Sequence, residues 1–147
     1  MIALGADHGG YRLKEAIKKY LDGEKIEYRD FGTNSEESVD YAPIAAKVAH
    51  FVAEGNAEKG ILCCGTGIGM SMAANKVNGI RAAVCANAYC AEITRHHNNA
   101  NILCLGGRVI NEEQAIEFSR LFINTAFDGG RHQRRIDEIA AIERGEL

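Results

Sequence analysis

The chain of 147 residues predicts an α/β protein: a parallel five-stranded sheet with helices on both faces, three layers in all. Three observations carry that prediction. Five short apolar runs alternate with segments whose apolar residues recur at helical spacing. The alternation of strand and helix is strict, which implies a parallel sheet covered on both faces. A glycine-rich turn, Gly65-Thr66-Gly67-Ile68-Gly69, follows the third apolar run directly, where a strand would pass into a helix.

Taken in order, Ile2-Ala3-Leu4-Gly5 is a strand, and Leu13, Ala16, Ile17, Tyr20 and Leu21 mark one face of a helix. Ile26 to Asp30 resumes as strand, and Phe31 to Asp40 is a polar loop. Ile44, Ala45, Val48, Phe51 and Val52 form a second helical face, with the only proline, Pro43, in its first turn. Gly60 to Cys63 is the third strand; beyond the glycine turn, Ser71 through Lys76 reads as helix. Ala82 to Cys85 is strand, about Tyr89 to His96 helix, and Ile102 to Leu105 the fifth strand. Asn111-Glu112-Glu113-Gln114 is a capping-box start for a helix over 111–126. Asp128-Gly129-Gly130 stops it, and Arg134 to Arg144 makes a last helix.

Bulk properties narrow the function. A chain of this length buries about 68–70% of its unfolded surface and predicts one domain over 1–147 that needs no disulfide or metal to fold. Seventeen basic against 20 acidic residues give a net charge of -3, which offers no general attraction for nucleic acid or a membrane. No long apolar run or signal peptide is read, so a cytoplasmic protein is expected. The five cysteines, at 63, 64, 85, 90 and 104, contain no C-x-x-C pair and are expected as reduced thiols. Cys63 and Cys64 face opposite sides of a strand, so only one can line a ligand surface.

The chemistry gathers where a doubly wound sheet would bring loops together, after the first, third and fifth strands. Cys64 precedes the glycine turn, whose backbone N–H groups and helix start would meet an anion and favour the thiolate. The turn is neither G-x-G-x-x-G, since Met70 stands at the last glycine, nor a P-loop, so nucleotide binding is disfavoured. Alternatively the glycines serve a tight turn and Cys64 is packing. Asp7 can accept from a hydroxyl or cap a helix, and His8 can donate to an anion. Arg108 follows the fifth strand, while Arg131 and Arg135, four apart, suit a phosphate or a solvated surface.

Together these residues resemble the ribose-5-phosphate isomerase type B family, which includes galactose-6-phosphate isomerase subunits and allose-6-phosphate isomerases. The resemblance spans the chain and rests on Gly5-Ala6-Asp7-His8-Gly9-Gly10, Asp40-Tyr41, Cys64 to Gly69, Ala73-Ala74-Asn75-Lys76-Val77, Arg95-His96-His97-Asn98, Gly106-Gly107-Arg108-Val109 and Gly129 to Arg135, in the family's order. It implies a Rossmann-like fold in homodimers or tetramers with shared sites, and cofactor-free, metal-free interconversion of an aldose phosphate and its ketose through an enediolate. By resemblance Cys64 is the base, Gly65, Thr66, Gly67, Ile68 and Gly69 hold the enediolate, and Thr66, Asp7 and His97 open the ring, with His97 as acid. Asn98 contacts substrate, Tyr41 lines the site, and His8, Arg108, Arg131 and Arg135 bind phosphate. Some members use a glutamate in the glycine loop as base; Met70 stands there in this chain. His96 beside His97 departs from members with one histidine. A six-carbon sugar phosphate, or a non-catalytic sugar-phosphate-binding role, stays open. The segment 129–147, beyond the fifth strand and a Gly-Gly break, is expected to reach a neighbouring subunit.

Overall fold

The apolar runs Ile2–Ala6 and Ile102–Gly106 become inner strands of the sheet, because a strand buried on both faces has no polar side to show. The computed structural model describes all 147 residues. Its strands are β1 (Ile2–Ala6), β2 (Tyr28–Asp30), β3 (Lys59–Cys64), β4 (Ala82–Val84) and β5 (Ile102–Gly106), all parallel, in the order β2-β1-β3-β5-β4. Every residue of β1 and β5 is buried. The helices are α1 (Tyr11–Gly23), α2 (Tyr41–Ala53), α3 (Ile68–Ala74), α4 (Ala88–Asn98), α5 (Glu112–Asn124) and α6 (Arg131–Glu143).

The two sheet faces form two cores. One joins Leu4, Ile61, Cys63 and Leu105 to Leu13, Ile17 and Leu21 of α1 and Phe118 and Phe122 of α5. The other joins Ala3, Leu62, Cys64, Ile102 and Cys104 to Val48 and Val52 of α2 and Met70 and Ala74 of α3. Each fully buried Leu, Ile or Phe contributes about 1.5–3 kcal/mol of transfer free energy, which sets the layering. Parallel pairing of β3 with both β1 and β5 places the carboxyl ends of these three strands side by side, as the loop arrangement required.

Element boundaries move where backbone conformation overrides periodicity. α6 starts at Arg131, not Arg134, because Gly130 at φ 56° breaks the chain immediately before it. α3 starts at Ile68, not Ser71, since Gly67 at φ 82° is its left-handed N-cap. β2 is shorter than the apolar pattern, Ile26 packing against the core from outside the ladder. α6 lies against α4 of its own chain, and the Glu143 carboxylate accepts the Gly79 N–H at 3.0 Å, so the C-terminal segment does not detach. No helix is long and apolar enough to cross a membrane.

Candidate active site

Three loops meet at the carboxyl edge of β1, β3 and β5, and their main chains are stitched together. Asp7 N–H donates to Cys63 O at 3.1 Å, Gly107 N–H to Cys64 O at 2.8 Å and Arg108 N–H to Gly65 O at 2.9 Å. The approach is so close that side chains have no room. A Cβ on Gly10 would run into the Cys63 backbone, one on Gly107 into the Gly9 carbonyl, and one on Gly106 would lie 2.7 Å from Thr66. Glycine at these positions is a packing requirement before it is a chemical one.

Above this floor opens a crevice of about 400 Å³ lined by Asp7, Tyr41, Cys64, Gly65, Thr66, Ile68, Gly69, Met72 and Arg108. Cys64 is 5% exposed, and its Sγ accepts the Gly67 N–H at 3.1 Å, a bond that strengthens when the acceptor is a thiolate. Cys63, on the other face, is 1% exposed, and burial pushes its thiol far above the ordinary range, so it stays a protonated core residue. Burial likewise pushes Cys85 up to about 12 and raises Cys104. Asp7 Oδ1 accepts the N–H groups of Gly9 and Gly10 at 2.8 and 3.2 Å, which turns the chain into α1. The helix cap expected of Asp7 is instead a turn before the helix, since the N-cap of α1 is Gly10 and no side chain caps it. The Tyr41 ring covers Gly69, and the Arg108 guanidinium lies across Gly65.

His8 adjoins the crevice in a polar pocket with Arg12, Glu36, Arg108 and Glu112. Its Nδ1 accepts the Val39 N–H at 3.2 Å, so the neutral ring carries its proton on Nε2 and offers that N–H to an anion. Sequence reasoning passed over Arg12, Glu36 and Met72, which belong to no motif; Arg12 stands in the first turn of α1, and Glu36 reaches the pocket through the loop before α2.

His97, Asn98, Arg131 and Arg135 stand elsewhere. A helix leading into a parallel strand must end at the amino edge of the sheet, and α4 does. The Arg81 Nε–H donates to Asn98 O and Asn99 O at 3.2 and 3.0 Å, and Gly60 N–H donates to Asn101 O at 2.8 Å. Gly60 lies four residues before Cys64 on β3, about 13 Å away at ~3.3 Å per residue. The residues named for the site thus form two groups at opposite sheet edges, which no hydrogen-bond contact joins within one chain.

In the second group the His97 and His132 rings stack with centroids 4.2 Å apart and planes 14° off parallel. The pKa of His132 is pushed down by its surroundings, then by His97 and Arg131. Ligating atoms of His97, Asp128 and His132 lie within 4.8 Å of one another. Nearly parallel rings direct their in-plane lone pairs side by side, so both imidazoles could hold one ion at about 2.1 Å only after the planes open. A larger hollow of about 470 Å³ beside Asn98 is lined mainly by apolar residues, Ile80, Ala82, Ile139 and Ile142 among them, and contains no cysteine or histidine.

A doubly wound α/β sheet with an interlocked glycine cradle and a cysteine thiol at its carboxyl edge defines an α/β protein whose small-molecule crevice sets backbone N–H groups beside a sulfur. The family model for ribose/galactose isomerases matches residues 2–139, and the chain belongs to that family. It is 46% identical to ribose-5-phosphate isomerase B of Escherichia coli over 142 residues, 97% of this chain and 95% of that one. The Clostridium thermocellum ribose-5-phosphate isomerase B structure matches with a TM-score of 0.96 at 48% identity, covering 99% of both chains. The Mycoplasma genitalium enzyme solved with bound ribulose 5-phosphate matches at 0.93 and 40% identity, covering 97% of this chain and 95% of that one.

Proposed function

We infer that the protein interconverts ribose 5-phosphate and ribulose 5-phosphate, with Cys64 as the base. The observation that carries this reading is the Cys64 Sγ, on the floor of the crevice and hydrogen-bonded to the Gly67 N–H. Full-length likeness to proteins named ribose-5-phosphate isomerase B supports the substrate class.

The open-chain aldehyde enters with C1 and C2 over the thiolate. Cys64 takes the C2 proton, and the electron pair moves into a C1–C2 double bond as negative charge reaches O1. Backbone N–H groups of the Gly65 to Gly69 turn other than those of Gly67 and Ile68, which donate to Cys64 Sγ and Thr66 Oγ1, meet that charge, which exists only after the proton has left carbon, so they act on the transition state more than on the substrate. The Cys64 thiol returns its proton to C1 while the O2 proton passes to O1, giving the ketose with a C1 hydroxyl and a C2 carbonyl. Ring opening before this needs an acid at the ring oxygen and an acceptor for the C1 hydroxyl proton, the parts we give to His97 and to Asp7 with Thr66.

His97 and Asn98, with Arg131 and Arg135, then come from a second copy of the chain, since their own Cys64 is at the far edge of the sheet. The phosphate lies between His8 and Arg108 of one subunit and Arg131 and Arg135 of the partner subunit, and Tyr41 closes the sugar end. The test is Cys64→Ala, which should lower turnover about 10²–10⁴-fold with ribulose 5-phosphate binding nearly intact. Near-normal turnover would remove Cys64 from the mechanism. Cys63→Ala is the control, changing stability and not chemistry.

A further inference from the structure

Three consecutive residues of the last turn of α4 hold three successive points of the segment that leads into α6. The Arg95 Nε–H donates to Thr125 O at 3.0 Å, where the segment leaves α5. His96 holds Asp128 twice: its Nδ1 pairs with Oδ1 at 2.6 Å, and its carbonyl accepts the Asp128 N–H at 3.1 Å. His97 stacks on His132, the second residue of α6. Between Asp128 and α6 stand only Gly129 and Gly130, both at positive φ, with no side chains to anchor them. Arg131 and Arg135 follow as exposed residues of the first two turns.

We propose that His96 and Asp128 are a positioning pair that sets where Arg131 and Arg135 stand against the phosphate, by tying the Thr125–Gly130 strap to the turn that bears His97. The inference rests on the reading of Arg131 and Arg135 as phosphate ligands. His96 touches no substrate in this scheme; it acts through the strap. The Glu92 carboxylate, 3.6 Å from Nε2 on the far side of the ring, orients the imidazole so that Nδ1 faces Asp128. The alternative is that His96 and Asp128 are a surface pair of the kind that contributes little. The arrangement differs from such a pair in one respect: a glycine pair lies immediately beyond it, so the strap's direction into α6 depends on Asp128 more than on any neighbour. A positioning error of this kind weakens phosphate contacts made in ground and transition states alike, and so appears in KM.

The experiment compares KM and kcat of His96→Ala, Asp128→Asn and His96→Asn, alone and combined with Arg131→Ala/Arg135→Ala. His96→Ala and Asp128→Asn should each raise KM roughly 3–10-fold with kcat within about 2-fold, and together should do no more than either alone. His96→Asn, whose amide nitrogen stands where Nδ1 stood, should recover most of the loss. In the arginine-free protein, His96→Ala should add nothing further to KM. A wild-type KM for His96→Ala, where the arginine variant itself is raised, overturns the pair while leaving the phosphate reading in place. A KM effect that persists undiminished without the arginines also overturns it. A wild-type KM for the arginine variant overturns the phosphate reading beneath both. Circular dichroism on each variant checks that all are folded.

Discussion

Mixing two inactive variants tests the proposal that the site is divided between the two subunits of a dimer. Arg131→Ala/Arg135→Ala removes two charge-assisted phosphate contacts at the amino edge of the sheet; at about 1.5–3 kcal/mol each, their loss lowers kcat/KM by roughly 10²–10⁴. Cys64→Ala removes the base about 13 Å along β3 from Gly60, at the other edge, and costs a similar factor. When subunits exchange at equal concentration, half the dimers are mixed. If each site takes Cys64 from one copy and both arginines from the other, a mixed dimer has one site with both defects and one with neither. Recovery is then about a quarter of wild-type kcat/KM, at least ~25-fold above either parent at a 10² loss. The assay is ribulose 5-phosphate formation at substrate well below KM, with mixed dimers counted by native mass spectrometry of differently tagged chains. Mixed dimers present in the expected share, with activity no higher than the parents' mean, would show that the arginines serve their own subunit's thiol or none.

Two further outcomes follow from the same geometry. A thiol-alkylating reagent should abolish activity by reaching Cys64, with ribose 5-phosphate protecting, while a chelator leaves turnover unchanged; a chelator effect reversed by added zinc would refute the metal-free mechanism. The hydrogen bond to Asp128, and then Glu92, raises the pKa of His96. Its stabilising contribution should therefore be full below about pH 6.5, the ordinary histidine value, and fade as pH climbs through the raised folded value. Thermal midpoints of the wild type and His96→Asn should differ most near pH 6 and converge toward pH 9, and a constant gap would exclude this source of stability.

Much of this was readable from residues alone. Alternating apolar runs and helical faces identify the parallel sheet, because strands buried on both sides tolerate no polar period. The glycine turn with Cys64 marks the crevice, because few other needs place a thiol beside three glycines. Strand order was not readable: nothing in Ala82 to Val84 says that it lies at an edge while the later Ile102 to Gly106 lies inside, since crossovers leave no local trace. The separation of the named residues into two groups was half readable. A turn from helix into parallel strand always lies at the amino edge, which already separates Asn98 from Cys64, but motif order along the chain hides that separation. The attachment of Asp128 to His96 had no signal at all, being a contact between residues 32 apart.

The interlocked glycines carry a consequence for how such a site can change. Gly10, Gly106 and Gly107 meet neighbouring loops backbone to backbone, so a substitution at any of them displaces a second loop. The cradle has no rotamers to resample, and selection cannot adjust it one side chain at a time. Freedom to alter which sugar is accepted lies instead with residues free to vary at the rim. Tyr41, Ile68 and Met72 are 41%, 49% and 64% exposed and each lines the crevice. A relative that takes a longer sugar is thus expected to keep the floor and differ at these three walls, a division of labour in which the chemistry is inherited whole and the fit is negotiated at the edge.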